Sequence, residues 1–363
     1  MIRSSKHILK FTNNSKLDMY QNVLGSYKKL LQHYIDLIWD KNLPLKTLLS
    51  SKELPNFEDI THSQWKQVAY KQASSILRSR FTKKKKKFSK PKVQNISIEL
   101  DNRLYNIIKG NHFDQFIRIT TPFFHPSKKR AITINIPLKN HKQSNKLESQ
   151  GFNKRNTILL KTGNISFIWE KEEIPKKSEG INIGLDMGYK KLLACSNGEI
   201  YGSDMVKIYE KITSKKQGSK AFKRSLKERD NKINEIVNIF IDDNKDLKTL
   251  IVEDLVNVKH KSKGKIYKKF NNKLQRWSYP KVLVSLERHS ELKGFELLKV
   301  NPAYTSQTCS RCGIVKKENR NGESYSCSCG LSMDADLNAS INILRRGVYS
   351  PSFSKSNVVE NFQ

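Results

Sequence analysis

From Leu17 to Trp39, apolar side chains recur every three or four residues. Leu17, Tyr20, Leu24, Tyr27, Leu31, Tyr34 and Ile38 form the stripe, and Val23, Leu30, Ile35 and Trp39 widen it. That period predicts a long helix with one buried face. A polar break with Pro44 and Pro55 follows. Thr61 and Gln64 have the spacing of a capping box for a second helix, whose buried face would carry Trp65, Val68, Ala69, Ala73, Ile76, Leu77 and Phe81. Residues 14–82 thus read as a small helical domain, entered through a short strand over 6–12. At this spacing Tyr20, Tyr27, Tyr34, Trp39 and Trp65 read as core rather than as base-stacking platforms.

Between about residues 93 and 172 the period shortens to two. ISIEL, FIRIT, ITINIPL, TILLKT and ISFIWE read as strands of a small β-barrel or sheet, separated by the turn-rich basic segments HPSKKR and KNHKQSNK. EIPKKSEG reads as a linker. From 181 the pattern changes again. INIGLD is a buried strand with a hairpin partner, and a Lys-rich helix follows with Leu226, Ile233, Ile236, Val237 and Phe240 on one face. KTLIVEDL and FELLKV are further strands, and LQRWSYPKVLVSLERHSEL is a helix expected to bend at Pro280. Strand and helix alternate, as in an α/β layer. The polar tail from about 348 is expected to lack regular structure.

Composition adds a partner. The 363 residues carry 68 Lys+Arg against 34 Asp+Glu, a formal charge of +34. Such an excess points to a polyanion, with nucleic acid first. No apolar run approaches the length of a membrane span, and the N-terminus MIRSSKHILKF has no signal-peptide core, so an intracellular, cytoplasmic protein is expected. Lys84–Lys87, Lys128, Lys129, Arg130, Lys259, Lys261, Lys263 and Lys265 are the candidates for phosphate contact.

Two groups of residues carry candidate chemistry. Cys309-x-x-Cys312 and Cys327-x-Cys329 are fourteen residues apart, and each pair is followed by a glycine. Two tight knuckles supply four thiolates, the set that structural zinc takes. The second knuckle is one residue short of the usual spacing, which predicts a distorted turn. Cys195 lies in an apolar strand and reads as core. Asp186 and Glu253 end two buried strands, and Asp336 heads an apolar helix. Carboxylates in such places need a cation. If they converge they can hold a pair of Mg²⁺ ions for phosphodiester hydrolysis. For Asp336 a helix cap is the competing role. Asp334 and Asp254 are the neighbours most easily confused with the functional acids.

GLDMGYKKLL, LIVEDL, LQRWSY, VNPAYTSQTCSRCG and YSCSCGLSMDADLNASINIL occur here in that order, closely covering about 180–346. In this combination the chain resembles the TnpB (OrfB) family of insertion-sequence RNA-guided DNA endonucleases, related to the type V CRISPR effectors. The resemblance implies an α+β multidomain fold. A wedge β-barrel (1–13 and 93–178) would hold a helical recognition insert with its basic linker (14–92). An RNase H-like RuvC nuclease core (179–300 and 332–347) would follow, with a zinc ribbon inserted at 301–331 and a tail over 348–363. It also implies Asp186, Glu253 and Asp336 as catalytic acids holding two Mg²⁺. Cys309, Cys312, Cys327 and Cys329 would be the Zn²⁺ ligands. A guide RNA from the element's end and double-stranded target DNA beside a short motif would be the partners, with base pairing reading most of the sequence. The competing functions are an RNA-guided DNA-binding regulator without useful cleavage and an acid-triad transposase.

Overall fold

The computed structural model describes residues 1–349 other than 42–44, 46–52, 56, 58–59, 61, 83–88, 128–129 and 256–278. Thr61, Lys84–Lys87, Lys128, Lys129, Lys259, Lys261, Lys263 and Lys265 lie outside the described residues, as do the LQRWS half of one expected helix and the tail beyond Tyr349. The chain forms two compact units, Met1–Glu172 and Glu173–Gln363.

The first unit begins with β1 (Ile2–Ile8), earlier than the expected strand, and runs into α1 (Asn14–Asp40) and α2 (Ser63–Phe81). Asn13 caps α1 by accepting from the Lys16 N–H at 3.1 Å. Tyr20, Tyr27, Tyr34 and Trp65 are fully buried, while Trp39 stacks on Phe81 with ring centroids 5.6 Å apart. The core reading thus holds for the first four. Tyr20 donates to the carbonyls of Lys161 and Asn164, and Trp65 to that of Thr120, so each buried polar tip is satisfied. α2 starts after His62, whose side chain makes no cap hydrogen bond, and the capping box expected at Thr61 falls outside the described residues.

The strands of this unit are β2 (Ser97–Asp101), β3 (Tyr105–Lys109), β4 (Gln115–Phe124), β5 (Ala131–Leu138), β6 (Asn153–Lys161) and β7 (Asn164–Glu170). They make two open sheets, β1-β7-β6-β2 and β3-β4-β5, and not the closed wedge barrel that the family resemblance implies. Strand alternation is set within each strand, whereas closure needs hydrogen bonding between edge strands remote in sequence. β1 pairs with β7 from Ile2↔Glu170 to Ile8↔Asn164, so the two ends of the unit meet around the helices. The segment taken for a turn at KNHKQSNK instead contains the start of α3 (Lys142–Ser149), capped by the His141 imidazole.

The second unit is built on a five-stranded sheet, β10-β9-β8-β11-β12. Its strands are β8 (Ile181–Asp186), β9 (Leu193–Cys195), β10 (Ile200–Tyr201), β11 (Leu247–Glu253) and β12 (Glu296–Val300). β8, β11 and β12 are parallel, β9 is the expected hairpin partner of β8, and β10 pairs antiparallel with β9. Ile183, Leu185, Leu250 and Val252 face a core shared with α4 (Met205–Thr213), α5 (Lys220–Asp243) and α6 (Tyr279–Lys293). Pro280 is the second residue of α6 as described; the bend expected there involves residues 274–278, which lie outside the described residues. The expected linker is a strap: Lys176 donates to Ser290 Oγ at 3.1 Å and to the Phe295 carbonyl at 2.9 Å.

Two short strands, β13 (Arg320–Asn321) and β14 (Ser324–Ser326), with β15 (Ser332–Asp334), form a small sheet before α7 (Ala335–Tyr349). α7 covers the other face of the large sheet. Gly184 permits this, since a Cβ there would lie 2.2 Å from the Ser340 carbonyl oxygen. Gly347 lies as close to Ile251, its would-be Cβ being 2.5 Å from Cγ1.

Candidate active site and cysteine centre

Side chains two apart on a strand share a face. Asp186 therefore shares the face of Gly184, and Glu253 that of Ile251. Gly184 and Ile251 are register partners in the parallel β8–β11 pair. So Asp186 and Glu253 end neighbouring strands side by side, at their carboxyl ends, on the face that α7 covers. On α7, Asp336 lies one turn before Ser340, on the same side of the helix. Contact at Gly184 and Ser340 thus carries Asp336 towards Asp186. The three predicted acids are brought together from segments about 150 residues apart in sequence.

Their electrostatics reflect that placement. Burial pushes Asp186 up to about 8, helped by the negative charges of Glu253 and Asp336 and opposed by Arg320. Burial also raises Glu253, against a hydrogen bond from Thr305 and the charges of Arg346 and Arg320. Arg320 Nη2 donates to Asp336 Oδ1 at 2.8 Å. Lys191, only 13% exposed, forms an ion pair with Asp334 and lies 3.9 Å from Asp336 Oδ2. Arg320, Arg346 and Lys191 thus border three carboxylates, whose hard oxygens are the donor type that Mg²⁺ takes.

Helix capping falls to Asp334. Its Oδ1 accepts from the N–H groups of Asp336 and Leu337 at 3.0 and 3.2 Å. Asp336 is thereby released from the capping role that competed for it. Arg320, Lys191 and Thr305 were not singled out from sequence. Arg320 and Lys191 are two of 68 basic side chains, and no spacing marks them or Thr305.

The cysteines also meet. The Sγ atoms of Cys309, Cys312, Cys327 and Cys329 all lie within 4.8 Å of one another. Cys309–Cys329 and Cys312–Cys327 are each separated by 3.6 Å. Four thiolates at about 2.3 Å from a tetrahedral ion would be roughly 3.8 Å apart, so this set fits a metal. The short second knuckle is not distorted out of reach. Gly330, at φ +85°, turns the chain so that its N–H reaches the Cys327 carbonyl at 2.9 Å, as Gly313 does for Cys309 at 3.0 Å. The N–H of Cys329 is the largest influence holding the Cys327 thiol down, at about 6. Cys195 is buried in the large sheet's core, as expected.

Residues 279–343 match the family described as Cas12f1-like, TNB domain. Over 97 residues the chain is 36% identical to the Cas12f1 CRISPR-associated endodeoxyribonuclease of Sulfoacidibacillus thermotolerans, covering 26% of this chain and 21% of that one. A TnpB-like protein of Methanocaldococcus jannaschii is 29% identical over 97 residues, 27% of this chain and 34% of its own. In sequence this chain is similar to the TnpB-like and Cas12f1 proteins. Its sequence matches span about a fifth to a third of these relatives' length.

The likeness to Cas12 effectors extends further in fold. A Cas12f1–sgRNA–target DNA complex superposes with a TM-score of 0.57 at 17% identity, over 92% of this chain and 83% of that one. CasPhi-2 (Cas12j) bound to crRNA and phosphorothioate-DNA gives 0.53 at 10% identity, over 95% and 91%. The shared architecture is the mixed α+β fold of the Cas12 effectors. No described helix is long and apolar enough to cross a membrane.

Proposed function

We propose that this protein is an RNA-guided DNA endonuclease of a transposable element, cutting phosphodiester bonds at an acid site of RuvC type. The observation that carries the proposal is the meeting of Asp186, Glu253 and Asp336 at the carboxyl ends of the parallel strands β8 and β11, beneath α7. In this reading the second unit contains the nuclease core, with residues 301–331 as its zinc ribbon. The first unit contains the wedge sheets and the helical recognition insert, which would hold guide RNA and the target's short adjacent motif. The charge of +34 suits both polyanions.

Asp186, Glu253 and Asp336 would hold two Mg²⁺, which, when bound, activate water and stabilise the leaving oxygen of a phosphodiester. The protein's own part is positional. The strand ends fix Asp186 and Glu253 side by side, and Asp334 caps α7 so that Asp336 stays free to face them. Arg320 offsets the carboxylates in the resting site and stands ready to meet a phosphate's negative charge. Cys309, Cys312, Cys327 and Cys329 would bind Zn²⁺ with all four thiolates and leave no open position, a structural role.

The proposal is tested by co-expressing the protein with its element-end RNA and sequencing what copurifies. A discrete, enriched RNA is expected, and rewriting its guide segment should redirect Mg²⁺-dependent plasmid cleavage to the new complement. Cleavage that ignores the rewritten guide would contradict it.

A further inference from the structure

The loop from Asn301 to Ser310 joins β12 to the first cysteine knuckle, and it touches the acid site directly. Thr305 is 2% exposed. Its hydroxyl is hydrogen-bonded to Glu253 Oε1 and lies 3.0 Å from the Pro302 carbonyl. A hydroxyl has one proton, and the ionised carboxylate is the stronger acceptor. Thr305 thus donates to the acid that ends β11.

The position of that hydroxyl is over-determined. Asn342 on α7 donates to the carbonyls of Thr305 and Thr308 at 3.0 and 2.7 Å. One turn earlier, Asn338 donates to the Thr308 carbonyl at 2.8 Å and accepts from the Ser310 N–H at 2.9 Å. Both asparagines are buried. The preceding residue, Tyr304, is the only non-glycine residue with positive φ among the described residues, at +64°. Its carbonyl accepts from the N–H groups of Gln307 and Thr308, each at 3.0 Å, and from Thr308 Oγ1 at 2.8 Å. A tyrosine in the left-handed region is strained, and such strain persists where surrounding bonds fix it. Here they fix the turn that delivers Thr305.

We infer that Thr305 is a positioning residue for Glu253, clamped by Asn342 so that one carboxylate oxygen is held and the other is presented to a divalent cation. This deepens, and rests on, the two-cation reading of the acid site. Removing the hydroxyl frees the Glu253 carboxylate to rotate, and partners of this kind are worth about 10–100-fold in metal affinity. The same turn leads within four residues to Cys309, so the cysteine module and α7 jointly set the geometry of an acid that belongs to neither.

The test is Mn²⁺ binding to the full-length chain freed of nucleic acid, followed by electron paramagnetic resonance, alongside melting temperature. Thr305→Val keeps the shape and removes the donor; Thr305→Ser keeps the donor. Thr305→Val is expected to weaken Mn²⁺ binding about 10–100-fold with the melting temperature near that of wild type, and Thr305→Ser to restore it. Wild-type Mn²⁺ affinity in Thr305→Val, where Asp186→Ala abolishes binding, would overturn the inference alone. Equal loss in the Val and Ser variants would also overturn it, since the hydroxyl would then not be what matters. Mn²⁺ binding untouched by Asp186→Ala and Glu253→Gln would overturn the two-cation reading, and this inference with it.

Discussion

Asp186 shows how one residue reports the chemistry around it. Pushed up to about 8 from an ordinary 3.8, chiefly by burial, it holds a proton at neutral pH in the metal-free protein that the unfolded chain has lost. Folding then takes up a proton between those values. The stability this linkage contributes is full below about pH 4 and is lost as pH rises through about 8. The metal-free melting temperature should accordingly fall between about pH 5 and about 8 and level off above that, with Asp186→Asn flattening the fall. A melting temperature that rises over the same range in the wild type and not in the variant would contradict the assignment. Asp186 was legible because a carboxylate ending an apolar strand is conspicuous. Arg320 and Thr305 were not, because their importance comes from which acid they touch, and only the folded chain decides that.

At the scale of elements, the site depends on how closely α7 approaches the sheet. Gly184 is what allows it, and the period-two reading of INIGLD captured the strand without showing that its glycine faces a helix. Gly184→Ala would force a methyl to within 2.2 Å of a backbone oxygen, so the helix must shift. Overpacking of this kind costs about 1–3 kcal/mol, and more where backbone must move. Denaturant unfolding of Gly184→Ala should show at least that loss, and an unchanged unfolding midpoint would mean that α7 is not seated on β8 as described. Long, strongly patterned elements such as α1, β8 and β11 were readable from sequence. β3 and α3 were missed because YNIIK and KQSNKLES are short and polar, so their apolar period is brief. The expected barrel failed for a different reason: alternation along a strand says which face is buried and nothing about which edges join.

For the whole molecule, the central matter is whether residues about 150 apart in sequence act as one site. The order of motifs made the two halves of that site recognisable, and the parallel pairing of β8 with β11 supplies the physical link. The cysteine centre illustrates the same division. Its four cysteines were plain from spacing, while the ability of the short second knuckle to reach the others rests on the turn at Gly330. The positive charge indicates polyanionic partners without specifying them, because phosphate contacts set affinity and not sequence choice. The most direct measurement is the single-turnover rate of Mg²⁺-dependent target cleavage by the guide-bound protein, in the wild type and in Asp186→Ala, Glu253→Gln and Asp336→Asn. Each substitution is expected to remove cleavage while leaving guide RNA bound; wild-type cleavage by any one of the three would contradict the convergent acid site.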